Sequence, residues 1–121
     1  MKIQRLISKL EKHHKKKLDL SLGRTFNLLK KLGNPQDKLK NIVTVVGTNA
    51  KASMCYSLKS ILNQAGYKTN LYTSPHLLSY TERYVFNDKE INEEDLIELL
   101  TDIEKTLGDD NATLFEILTC A

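Results

Sequence analysis

The chain has 121 residues, 40% hydrophobic and 27% charged, with a net charge of +3, enough for one modest domain and not for two. No apolar run nears the ~20 residues of a membrane span, and Met1-Lys2-Ile3-Gln4-Arg5 leads into Lys and Glu, so no signal peptide is expected either. Two cysteines, Cys55 and Cys120, make neither a disulfide framework nor a zinc ribbon and suit a reducing, cytoplasmic setting.

Ile3, Leu6, Ile7 and Leu10 recur at i, i+3, i+4 and i+7 and predict an amphipathic helix. A second helix is expected from about Asp19, with Leu22, Phe26, Leu29 and Leu32 inward, and Gly33-Asn34-Pro35 stops it. Ile42-Val43-Thr44-Val45-Val46 is β-branched throughout and apolar at four of five positions. Such a run predicts a buried strand, parallel to its neighbours, because only a strand covered on both faces is apolar without alternation. A short loop, Gly47-Thr48-Asn49-Ala50-Lys51-Ala52-Ser53, leads into a helix that reaches about Ala65 and is capped by Gly66. Residues 68–73 form a second strand, which makes a right-handed strand–helix–strand unit.

Ser74-Pro75-His76 breaks that strand, and Tyr84-Val85-Phe86 with Ile91 flanks Asn87-Asp88, a pair that tolerates left-handed turn geometry. A small hairpin is predicted there. Asn92 is a good N-cap, with Glu93, Glu94 and Asp95 in the electropositive first turn of the next helix. Leu96, Leu99, Leu100, Ile103 and Leu107 form its inward face, and Gly108 ends it. Residues 112–121 open another apolar segment with no stop signal. Two parallel strands are not stable alone, so the chain reads as the front of a larger protein.

Charge is distributed unevenly. Residues 1–40 carry twelve Lys/Arg against three acids, and residues 82–121 carry twelve acids against three bases. A basic half can meet a polyanion, but the densest cluster, His13-His14-Lys15-Lys16-Lys17, has no interleaved aromatic on which bases could stack. A solvated helix face is the simpler reading, and nucleic acid is not an expected partner. His13 and His14, adjacent on a helix, point to different sides and cannot chelate one ion together.

A buried strand that ends in a glycine loop carrying Lys and then Ser, just before a helix, is a phosphate-binding arrangement. Loop N–H groups and the helix N-terminus face the anion, the lysine reaches the outer phosphates, and the hydroxyl can meet a metal ion. The spacing here, Gly-x-x-Ala-Lys-Ala-Ser, departs from the common Gly-x-x-x-x-Gly-Lys-Ser/Thr pattern. Taken alone, it fits a phosphate cradle or an ordinary turn between strand and helix.

Neighbouring segments narrow the choice. Val45-Val46-Gly47-Thr48-Asn49-Ala50-Lys51-Ala52-Ser53 resembles the Gly-Thr-Asn-Gly-Lys-Gly-Ser/Thr loop of folylpolyglutamate synthase and dihydrofolate synthase, members of the Mur ligase superfamily. Leu18-Asp19-Leu20-Ser21-Leu22-Gly23-Arg24 and Leu32-Gly33-Asn34-Pro35 resemble that family's leader. Ala65-Gly66-Tyr67, Leu71-Tyr72-Thr73-Ser74-Pro75-His76-Leu77, Thr81-Glu82-Arg83 and Thr113-Leu114-Phe115-Glu116 follow in the same order. The resemblance runs colinearly over residues 17–121.

The resemblance implies an α/β fold: the N-terminal part of a P-loop-type, three-layer ATPase domain with a mostly parallel sheet, incomplete in this chain. Residues 1–40 would be N-terminal helices and 41–121 the first part of the ATP-binding domain, with the C-terminal glutamate-binding domain absent. It implies an ATP-dependent amide ligase: ATP phosphorylates a substrate carboxylate, and the amine of glutamate attacks the acyl phosphate. By resemblance Gly47, Thr48, Asn49, Ala50, Lys51, Ala52 and Ser53 hold the ATP phosphates, with Lys51 the catalytic cation. Ser74 and Ser53 would serve Mg2+. Asp19, Leu20, Ser21, Leu22, Thr113, Leu114, Phe115 and Glu116 would contact the pterin-type acid. The partners implied are small molecules, and the intact protein is expected to be monomeric and cytoplasmic.

Ala50 and Ala52 stand where the family has glycine, and the chain stops where the family runs on, so it is not expected to be active alone. Glu82 and Arg83 read as a surface ion pair, His76 as a solvated loop residue and Cys55 as a core position. Glu116, set between Leu114-Phe115 and Ile117-Leu118, is either on the outer face or buried with a partner, and the resemblance of Thr113-Leu114-Phe115-Glu116 to the family motif favours the second. A generic P-loop protein with another substrate, or a non-catalytic relative with an altered loop, are the competing readings.

Overall fold

The structure, a computed structural model, describes residues 2–13 and 21–121. They fall into two compact units: residues up to Lys40 together with Glu94–Ala121, and Asn41–Glu93.

The first unit is helical. It contains α1 (Lys2–Leu10), α2 (Gly23–Lys31), most of α4 (Glu93–Leu107) and α5 (Leu114–Cys120), while α3 (Lys51–Gln64) belongs to the second unit. The periodicity of α1 is realised, with Ile3, Ile7 and Leu10 buried. That of α4 is too: Leu96, Leu100, Ile103 and Leu107 are buried, and Gly108 at φ +61° ends the helix. Ala112, Ile117, Leu118 and Cys120 complete the apolar core.

Helix α2 differs from expectation. It starts at Gly23, four residues later than expected, and presents another face. Leu28 is its buried residue, whereas Leu22 and Phe26 are 64% and 61% exposed. Polar contacts fix this orientation. Arg24, Leu28 and Lys31, spaced i, i+4, i+7, share one face. Arg24 reaches Glu116 on α5, while Lys31 Nζ donates to the Leu107 carbonyl at 3.2 Å and pairs with Asp110 at 2.7 Å. Lys9 pairs with Glu104 at 3.0 Å. The basic N-terminal stretch and the acidic C-terminal stretch therefore meet inside one unit. The two exposed pairs are worth ~0–1 kcal/mol each; the contact at Leu107 also places a cation on the negative end of α4.

The second unit holds α3 (Lys51–Gln64) and three short strands, β1 (Asn70–Tyr72), β2 (Tyr84–Phe86) and β3 (Lys89–Glu90). The hairpin forms as read. Asn87 and Asp88 take φ of +46° and +68°, the two left-handed positions of a tight turn. Asp88 then pairs with Lys59 and accepts from Asn63 Nδ2 at 2.6 Å, which fastens the turn to α3. The cap of α3 is also as read, with Gly66 at φ +87° just past the helix.

The expected parallel unit is not present among the described residues. The sheet, in the order β1-β2-β3, is antiparallel, with Leu71 opposite Val85 and Val85 opposite Glu90. Residues 42–46 form no strand, and Ile42, Val43 and Val46 are 67%, 63% and 84% exposed. A strand is defined by its neighbour's hydrogen bonds, and an all-apolar run becomes a buried one only between two covering layers. Among the described residues no segment pairs with this run, so its composition has nothing to act on. Helix α3 likewise buries no residue completely; Cys55, read as a core position, is only half-buried.

Candidate functional site

The loop before α3 has two backbone positions that decide its shape. Gly47 sits at φ +154°, where a Cβ would find ordinary 3.9 Å contacts to Asn49 O and Lys51 Cγ. Backbone conformation, not lack of space, reserves that position for glycine. Ala50, the N-cap of α3, is left-handed at φ +58°, ψ +13°. An alanine N-cap offers no side-chain acceptor, and α3 has no acid in its first turn. The positive end of this 14-residue helix is thus left without a protein counter-charge in its first turn.

Lys51 opens α3 and folds back over the loop. Its Nζ donates to the carbonyls of Gly47 at 2.6 Å and Thr48 at 3.3 Å. A cation held on neutral carbonyls beside an uncapped helix end is electrostatically suited to an anion. Thr48, Asn49, Ala52 and Ser53 are exposed, and Ser53 lies in the first turn of α3. Ala52 lies within the helix, so of the two alanines that replace glycine only Ala50 has positive φ.

Further along the same unit, residues 74–83 form a fastened loop that begins with a cis Ser74-Pro75 bond. Here the structure corrects the reading of Glu82 and Arg83 as a surface ion pair. The Glu82 carboxylate accepts from the backbone N–H groups of Leu77 (2.8 Å), Leu78 (2.7 Å) and Ser79 (2.6 Å). The N–H groups of Leu77, Ser79 and Leu78 hold its carboxyl below the ordinary value. Arg83 is buried, donating from Nε to His76 Nδ1 at 2.9 Å and from Nη1 to Ser74 Oγ at 3.2 Å. His76 is no solvated residue; it is half-buried and packs against Tyr80, the ring centroids 4.1 Å apart and the planes tilted by 44°. Spacing offered no signal for this cluster, because its members are loop residues without periodicity.

In the helical unit the Glu116 reading holds. Glu116 is buried, and Arg24 grips it with two donors, Nε at 3.1 Å and Nη2 at 2.8 Å. It also closes a capping box at the start of α5: its Oε2 accepts from Thr113 N at 2.7 Å, and Thr113 Oγ1 accepts from Glu116 N at 3.2 Å. Burial raises its pKa, but the Arg24 and Thr113 hydrogen bonds outweigh that and leave it below the ordinary value. Burial, followed by the Glu116 charge, pushes the Cys120 thiol up to about 11. Leu22 and Phe115 are exposed, while Thr113 and Leu114 are half-buried; Ser21 is exposed. Asp19 and Leu20 lie outside the described residues.

Hydroxyl oxygens such as those of Ser53 and Ser74 suit a hard divalent cation that takes its remaining ligands from phosphates and water. No group of three or more His, Cys, Asp or Glu among the described residues could hold a metal by itself. Among them, too, no helix is long and apolar enough to cross a membrane.

The glycine loop thus runs into an uncapped helix N-terminus that carries a lysine, an arrangement suited to an anion. No family model matches the chain, but individual proteins do. The dihydrofolate synthase/folylpolyglutamate synthase of Escherichia coli is 40% identical over 110 residues, 91% of this chain and 26% of that protein. The dihydrofolate synthetase of Saccharomyces cerevisiae is 36% identical over 105 residues, 85% of this chain and 24% of that protein. The structure of Escherichia coli FolC in complex with DHPP and ADP superposes with a TM-score of 0.85 at 39% identity, covering 98% of this chain and 28% of that one. The Yersinia pestis bifunctional folylpolyglutamate synthase/dihydrofolate synthase, complexed with AMPPNP and Mn ion, gives 0.84 at 36% identity, covering 98% and 28%. The chain belongs to the folylpolyglutamate synthase/dihydrofolate synthase family. It spans about a quarter of the length of the relatives it matches.

Proposed function

We propose that this chain supplies the phosphate loop and part of the acid-binding surface of an ATP-dependent ligase that joins glutamate to a dihydropteroate- or folate-type acid. The observation that carries the reading is the loop of residues 47–53: left-handed at Ala50, open at the N-terminus of α3 and topped by Lys51. Its support is the family's nucleotide complexes, with ADP in one solved relative and AMPPNP and Mn in another.

In this reading Gly47, Thr48, Asn49 and Ala50 turn their backbone toward the phosphates, and Lys51 exchanges its two carbonyl partners for phosphate oxygens. Phosphoryl transfer needs little covalent help; positioning and cations against the developing charge are what the protein supplies. The γ-phosphoryl group passes to the substrate carboxylate, ADP leaves, and the amine of glutamate displaces phosphate from the acyl phosphate to form the amide. Ser53 and Ser74 would hold Mg2+, which neutralises phosphate charge when bound. Ser21, Leu22 and Phe115, with Asp19 and Leu20, would meet the pterin-type acid alongside Thr113 and Leu114. Glu116, its carboxylate taken by Thr113 and Arg24, acts by shaping the turn that presents Phe115.

Residues 41–121 are read as the first part of the ATP-binding domain, and the glutamate-binding domain as lying outside this sequence. The chain alone is then inactive, and the intact polypeptide a cytoplasmic monomer. The test is ADP release by the intact polypeptide. It should require both a pteroate-type acid and glutamate, and turnover with an unrelated acid and amine would refute the substrate assignment. One feature favours a second reading: Ala50 strains the loop, as in a relative that has lost ATP. Calorimetry with Mg-ATP separates the two, since the non-catalytic relative shows no binding.

A further inference from the structure

Arg83 is a buried cation whose side chain donates to His76 and Ser74 and to no carboxylate. It is 8% exposed, and among the described residues no carboxylate lies within ion-pair distance of it. Burying a guanidinium without a carboxylate is expensive, and neutral acceptors repay little of it. Simple stabilisation of the loop therefore does not account for an arginine here. Loop 77–79 is in any case held separately, by the three N–H bonds to Glu82.

What Arg83 does is fix two side chains at once. Guanidinium is an obligate donor with a rigid fork. Its Nε bond commits the Nδ1 lone pair of His76, and its Nη1 bond commits one lone pair of Ser74 Oγ. The fork lies over Tyr80, 5.5 Å from the ring centroid, and the same ring backs His76. Ser74 Oγ is thereby held at one rotamer. Its second lone pair is left for another ligand.

We propose that Arg83 is a positioning residue that acts through Ser74. It orients the Ser74 hydroxyl toward the metal–nucleotide group, with His76 and Tyr80 as its supports. The inference rests on the ligase reading, in which Ser74 serves the metal. It adds a residue that touches neither the metal nor the nucleotide and that sequence reading placed on the surface.

A double-mutant cycle tests it, read as the affinity for Mn-AMPPNP by paramagnetic resonance in the intact polypeptide, without any turnover. Arg83→Met and Ser74→Ala should each weaken binding about tenfold, the scale of one lost charge-assisted hydrogen bond. The double variant should be no weaker than Ser74→Ala alone, because the effect of Arg83 passes through that hydroxyl. Arg83→Lys keeps the charge over Tyr80 but not the fork, and should behave like Arg83→Met. It also serves as the check if the methionine variant fails to fold. Losses that simply add, or an Arg83→Lys variant with unchanged affinity, overturn the positioning role. A wild type that binds no Mn-AMPPNP at all overturns the ligase reading and this one with it, and so is told apart from the additive result.

Discussion

Ala50→Gly should stabilise the start of α3, and Ala52→Gly should weaken it. Ala50 occupies the left-handed region at φ +58°, where a Cβ costs roughly 1–2 kcal/mol. Glycine removes that strain but enlarges the unfolded ensemble by about 0.4–1 kcal/mol. The net change at residue 50 is a gain of roughly 0–1.6 kcal/mol, centred on ~0.8 kcal/mol. Ala52 lies inside α3, where glycine carries no strain to relieve and costs about 0.5–1 kcal/mol. Each variant loses one methyl group, and the two should move in opposite directions. The Met54 amide reports the difference directly, because it donates to the Ala50 carbonyl at 2.9 Å and closes the first turn. Its hydrogen exchange should slow a fewfold in Ala50→Gly and quicken in Ala52→Gly, since ~1.4 kcal/mol is tenfold. In the intact polypeptide the same relief should tighten Mg-ATP for Ala50→Gly alone. Exchange that quickens equally in both would show that residue 50 is not strained, and the argument from φ would fail.

Lys51→Ala should leave circular dichroism and melting nearly unchanged, because its two bonds are solvent-exposed loop contacts; ATP turnover in the intact polypeptide should fall at least ~10²-fold, and a near-normal rate would make this an ordinary turn. Glu116 is depressed in the folded state, so its contribution is full above its ordinary value of 4.5 and is lost as pH falls through the lower, folded value. Acid titration of stability should therefore fall less steeply in Glu116→Gln than in the wild type, and equal acid limbs would contradict the pairing with Arg24. The Cys120 thiol, pushed up to about 11 and buried, should resist thiol reagents at neutral pH while half-buried Cys55 reacts. Mass spectrometry after brief labelling checks which of the two is modified.

Much of the local structure was legible in the residues themselves. The apolar spacing of α1 and α4, the stops at Gly66 and Gly108 and the left-handed pair Asn87-Asp88 all depend on interactions within a few residues. Backbone sterics and helix periodicity act there without help from the rest of the chain. For Glu116 the apolar run left two places open, an outer face or burial with a partner; the family motif favoured the second, and Arg24 is that partner.

Other features were decided only by distant segments. The apolar run 42–46 has strand composition, but pairing is a property of two segments, and none among the described residues supplies the second. The inward face of α2 carries Leu28 together with Arg24, whose partner Glu116 lies far along the chain, and not Leu22 and Phe26. The pairs Arg24–Glu116, Lys31–Asp110 and Lys9–Glu104 also show why opposite charges collect at the two ends of the chain: the ends fold together. Arg83 is the sharpest case. Next to Glu82 it looks like half of an exposed ion pair, yet the loop curls so that each residue faces a different set of partners. A charged side chain's role follows from what surrounds it in space, and adjacent positions in an irregular loop have no fixed angle between them from which that could be read.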